Sequence, residues 1–105
     1  MTKYILGFHG GGDMPTDPKV AEASMAKWVA WYQDMGKAVI DMGTPTIAKK
    51  TIGANGKVTD GGGANPLTGY SIIEANSLDE AVGMAKDCPI YAAGGSVEVA
   101  EMLPM

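Results

Sequence analysis

His9 is the chain's single histidine. An unperturbed imidazole titrates near neutral pH, which makes His9 the first side chain to consider for proton transfer. It follows the apolar run Tyr4-Ile5-Leu6-Gly7-Phe8 and precedes Gly10-Gly11-Gly12, a strand end beside a flexible loop. Chemistry-bearing side chains concentrate at such places. The plain alternative is a strand-end histidine bonded to loop backbone. Asp60 stands before a second glycine run, Gly61-Gly62-Gly63. Its carboxylate is suited either to orienting His9 or to ordinary turn formation through its own backbone hydrogen bonds. Tyr70 alternates with Ile72 and Glu74, so its hydroxyl either reaches a cavity or meets a backbone partner. In the first case it would stabilise a developing oxyanion together with loop N–H groups.

Other candidates weaken on inspection. Trp28 and Trp31 recur at helical spacing, which suits a sheet-packing helix before it suits a ligand platform. Met42 follows an apolar run and is a candidate pocket border. Neither glycine run has the Lys-Ser/Thr ending of a phosphate loop or the spacing of a dinucleotide fingerprint. His9, Asp13 and Asp60 have no recognisable ligand spacing, so no metal and no cofactor are expected. Cys88 is alone and ends an apolar helix pattern, which excludes an internal disulfide and speaks against a catalytic thiol. Glu98 lies among valines and must be either exposed or engaged.

The elements that carry these residues follow from periodicity. Lys3 to Phe8 predicts a buried strand. Asp17-Pro18 starts a helix, Val20, Ser24, Trp28, Trp31 and Met35 mark its buried stripe, and Gly36 ends it. Strands are expected at Ala38 to Met42 and at Thr46 to Ile52, where Lys49 and Lys50 suggest an edge. Asn55-Gly56 predicts a two-residue hairpin with both residues at positive φ, returning through Lys57 to Thr59. Gly69 to Ala75 reads as a central strand. Ser77-Leu78-Asp79-Glu80 reads as a capping box opening a short helix that Cys88-Pro89 ends. Ala92 to Gly95 turns the chain into a last strand from Val97 to Leu103.

With 105 residues, 46% of them apolar and 19% charged, the chain fits one globular α+β domain spanning 1–105. A net charge of −4 without a basic run argues against nucleic acid. The opening apolar run is too short for a signal peptide and no stretch is long enough to span a bilayer, so a cytoplasmic location without membrane attachment is expected. Strand, long helix, strand, hairpin, strand, short helix, strand is a ferredoxin-like βαββαβ order with an added hairpin. Two helices cover one sheet face, yet Tyr4-Ile5-Leu6 and Ile72-Ile73 are apolar on both. A homodimer is the expected cover for the second face.

In this order the chain resembles the YCII-related, or DGPF-motif, family. The resemblance rests on Lys3-Tyr4-Ile5-Leu6, the Trp-bearing helix, Val58-Thr59-Asp60-Gly61, Gly69-Tyr70-Ser71-Ile72-Ile73-Glu74, Ser77-Leu78-Asp79-Glu80-Ala81, Cys88-Pro89 and Gly95-Ser96-Val97-Glu98-Val99. It implies dimeric α/β barrels of ferredoxin-like protomers, a fold shared with small-molecule isomerases, cyclases and cofactor-free oxygenases. Gly62 and Gly63 stand where the family shows Pro and Phe, and Ala64-Asn65-Pro66 replaces the usual acidic segment. A His-Asp pair is proposed as catalytic in some relatives; of His9 and Asp60, only Asp60 falls on a family motif position.

The resulting expectation is a homodimer binding an unknown small molecule between the sheet and the Trp-bearing helix, near the glycine loops. His9 and Asp60 would be catalytic, and Trp28, Trp31, Met42 and Tyr70 would line the pocket. The alternative is a non-catalytic dimerising or regulatory module.

Overall fold

The computed structural model describes residues 1–12 and 16–104. Asp13 therefore lies outside the described residues. Asp17 accepts a hydrogen bond from the Lys19 amide and Pro18 takes the first helical position, so α1 runs over Pro18–Met35 as the sequence predicts. It follows β1, Thr2–His9, and leads into β2, Val39–Asp41. A short ribbon comes next, β3 at Lys50–Ile52 and β4 at Val58–Asp60. The chain then forms β5, Leu67–Ala75, α2, Leu78–Ala85, and β6, Ser96–Glu101.

Several local expectations change. In the hairpin only Gly56 has positive φ (83°), and Asn55 does not. The Gly53 amide bonds the Lys57 carbonyl at 2.8 Å and the Gly56 amide bonds the Gly53 carbonyl at 2.9 Å. The loop is thus a three-residue turn closed by a left-handed glycine, in which a non-glycine residue needs no positive φ. At the start of α2 the Glu80 amide donates to Ser77 Oγ at 3.1 Å as expected, but the Glu80 carboxylate accepts from the Asn76 amide and side chain. The reciprocal half of the capping box is displaced by one residue. The region predicted as a turn from Ala92 is the end of a 3-10 helix, Pro89–Ala93.

The main sheet has the order β2-β5-β1-β6, with each neighbouring pair antiparallel. This is the ferredoxin-like α+β arrangement, with the β3–β4 ribbon inserted outside the sheet. Period-2 alternation sends Tyr4, Leu6 and Phe8 of β1 and Ser71, Ile73 and Ala75 of β5 to one face. Trp31 of α1 and Ala81 and Ala85 of α2 join that cluster, so both helices lie on the same side. Phe8, Trp28 and Trp31 meet edge to face with ring centroids 5.3 to 6.1 Å apart, a favoured geometry for aromatic pairs.

One polar relay ties this layer together. Ser71 Oγ, fully buried, donates to the Met42 carbonyl at 2.7 Å, so the Tyr32 hydroxyl at 2.7 Å donates to Ser71 in turn. Burial raises the Tyr32 pKa above its ordinary value, and the hydrogen bond to Ser71 partly opposes that. Ser71→Ala removes both hydrogen bonds of the serine and leaves the Tyr32 hydroxyl and the Met42 carbonyl only their mutual 3.4 Å contact. The expected loss is about 1–3 kcal/mol, read by urea unfolding.

Candidate functional site

The opposite sheet face has no helix on it. Register places Tyr70 and Glu98 on either side of Gly7, and Ile72 and Ala100 on either side of Ile5. Directly paired residues of antiparallel strands point to the same face. The uncovered face therefore shows a polar row beside an apolar row. Ile5 is 37% exposed, while its neighbour Leu6 is fully buried.

Gly7 makes room in the polar row. A Cβ there would stand 3.6 Å from His9 Nε2, 3.6 Å from Leu67 Cδ1 and 3.9 Å from Glu98 Cβ. The His9 imidazole thus folds back over the glycine, between Leu67 and Glu98. Its other nitrogen, Nδ1, is 3.1 Å from the Asn65 carbonyl oxygen. A carbonyl only accepts, so Nδ1 carries the hydrogen and, in the neutral ring, Nε2 keeps its lone pair, on the Gly7 side of the imidazole. The Tyr70 hydroxyl donates to Asp41 Oδ2 at 3.4 Å, and Asp41 Oδ1 accepts from the Gly43 amide at 2.8 Å. One imidazole, one phenol, the exposed carboxylate of Glu98 and an apolar strip from Ile5 and Ile72 share this face. This set can hold a small, partly apolar molecule flat on the sheet and move one proton.

The expected orienter is not there. Asp60 does not hydrogen-bond His9; its Oδ1 lies 2.6 Å from Lys50 Nζ, with the aspartate side chain 93% exposed. Register explains this, because β4 closes on β3 with Asp60 opposite Lys50, while the following loop carries Asn65 to His9. Such an exposed ion pair contributes about 0–1 kcal/mol.

The expected pocket between sheet and α1 is likewise filled by aromatic packing. Trp31 is 4% exposed and its Nε1 donates to the Met84 carbonyl at 3.0 Å, so it serves the core and no ligand. Trp28 stacks within the same cluster against Phe8 and Trp31. Met42 borders an open groove of about 470 Å³ between α1 and β2, also lined by Val29, Tyr32 and Ile40 and separate from His9, Asp60 and Tyr70. Among the expected residues, His9 and Tyr70 share the uncovered face; Trp28, Trp31, Met42 and Asp60 lie elsewhere. Sequence reasoning missed Asn65, Asp41 and Leu67 as site residues. The available signal was Gly7, an unfilled position inside an apolar strand, which leaves space for a neighbouring side chain.

Among the described residues no cluster of three or more His, Cys, Asp or Glu side chains could hold a metal ion, and no helix is long and apolar enough to cross a membrane. Cys88 is 3% exposed, and burial pushes its thiol up to about 11, so it is an inert thiol at neutral pH. Below about pH 9 both folded and unfolded chains keep this proton; above it the unfolded thiol ionises first. Stability is therefore expected to fall between about pH 9 and about pH 11, by roughly 1.4 kcal/mol per unit from this group. Comparing urea unfolding of the parent and Cys88→Ala across that range isolates the contribution.

A family model described as the YCII-related domain matches residues 12–105. No curated protein matches the chain. Among solved structures, the fold is similar to that of 5-chloro-2-hydroxyhydroquinone dehydrochlorinase (TftG) from Burkholderia phenoliruptrix AC1100, in complex with 2,5-dihydroxybenzoquinone. The TM-score is 0.53 at 20% identity, covering 98% of this chain and 95% of that one.

Proposed function

The chain belongs to the YCII-related family, and from that premise we propose that it is a homodimeric, cofactor-free acid/base enzyme acting on a small molecule at the uncovered sheet face. The observation that carries this reading is His9, with Nδ1 held by the Asn65 carbonyl and Nε2 poised over Gly7. A second copy facing the same surface would exclude water from the site and strengthen its electrostatics. His9 Nε2 takes a proton from the bound molecule and returns it at another atom, or the proton's loss accompanies departure of a leaving group. Tyr70 turns its hydroxyl hydrogen from Asp41 to the oxygen on which charge develops. A lone buried thiol suits a reducing compartment, and the cytoplasm is the proposed location.

The dehydrochlorinase of similar fold was solved with a dihydroxybenzoquinone, so hydroxylated quinones and phenols are the first ligands to test, before small acids and lactones. Thermal shift with 2,5-dihydroxybenzoquinone and simple phenols gives the readout. Gly7→Val is expected to keep the fold and lose the ligand shift, because its branched side chain occupies the space under the imidazole. His9→Gln is expected to bind within a few-fold of the parent but to lose about 10²–10⁴-fold in turnover. If both variants bind every ligand as the parent does, the site is wrong and a non-catalytic dimerising module is the better reading.

A further inference from the structure

The β3–β4 ribbon is a sheet of its own, and it lies outside the four-stranded sheet. An isolated two-stranded hairpin is at best marginally stable in water and needs a surface to pack on. This one is patterned for such a surface. Lys50, Ile52, Val58 and Asp60 share one side by register, and Thr51 and Thr59 share the other. Ile52 is 72% exposed and Val58 55%, and Ile47, just before the ribbon, is 86% exposed. The radius of gyration is 15.0 Å, against about 13 Å for a compact chain of this length, as expected for a projecting arm.

Charge indicates what covers it. Residues Ile47 to Asp60 hold three lysines and one aspartate, a net +2 in a chain of net −4, which leaves −6 on the rest. The uncovered sheet face carries Glu74 and Glu98, with Asp41 beside Tyr70, against one lysine, Lys3, which stands opposite Glu74.

We propose that the arm of each copy crosses to the second copy and lays its Ile52–Val58 side on that copy's acidic, uncovered face. Lys57 then lies near the partner copy's carboxylates and the His9 site is closed only in the dimer. This rests on the homodimer proposed above, and the test separates the two. In a Cys88→Ala background, one population carries Ile52→Cys and a differently tagged one carries Glu98→Cys; the two are mixed and treated with a short bismaleimide. The control pairs Ile52→Cys with Met25→Cys, which lies on α1 and is 61% exposed in the parent. Covalent heterodimer at least tenfold above the control is expected. Heterodimer at or below the control, in protein that native mass spectrometry shows to be dimeric, overturns the arm contact and leaves the dimer standing. A monomeric mass overturns both.

Discussion

Ile72→Glu is expected to convert the protein from dimer to monomer at concentrations where the parent is dimeric by sedimentation. Ile72 pairs with Ile5 in the apolar row of the uncovered face. A carboxylate there would be buried against the same row of the second copy, near Glu74 and Glu98, and the lysine of that face, Lys3, already stands opposite Glu74. Burying an unpaired charge costs several kcal/mol even after relaxation, so the dimer Kd is expected to rise by at least about 10²–10³-fold. The folded monomer should survive, because Ile72 lies on the face away from the helices and the core behind it is complete. Met25→Glu, on the solvent side of α1, is expected to leave the mass unchanged.

Trp31→Ala is expected to cost about 3–5 kcal/mol, a large share of the roughly 5–15 kcal/mol that keeps a small domain folded. The indole contacts Phe8, Trp28 and Tyr32 and is 4% exposed, so truncation leaves a cavity that three rigid rings cannot close. It also leaves the Met84 carbonyl without its indole donor. Trp31→Phe restores most of the volume without the hydrogen bond and should recover more than half of the loss. Urea midpoints of the three proteins check this order, and the denaturant slopes show whether the unfolded states are comparable.

Sequence reasoning served best where signals are local. The ends of α1 follow from Asp17-Pro18 and Gly36, and both match the structure, because caps act within one turn. The strand order was legible for a similar reason, since each strand has its own period-2 pattern and each turn its own breaker. The failures are register-dependent. Asp60 and Asn65 are five residues apart in one loop region, and nothing local says which of them meets His9. The β3–β4 pairing decides it by placing Asp60 opposite Lys50. Tyr70 and Glu98 are likewise 28 residues apart in sequence and meet in one row only as the two cross-strand partners of Gly7. Trp28 and Trp31 were legible as core aromatics but not as packing with Phe8 between helix and sheet, which is why the site proposed above lies on the other face.

That the working surface is the sheet face without helices can be tested by footprinting side chains with a small carbene reagent across a wide range of protein concentration. Labelling of Ile5, Leu67 and Ile72 should fall as the protein is concentrated, and fall further when 2,5-dihydroxybenzoquinone is added, while Met25 and Val29 on α1 stay constant. Unchanged labelling of the three sheet residues at every concentration, with or without the quinone, would contradict it.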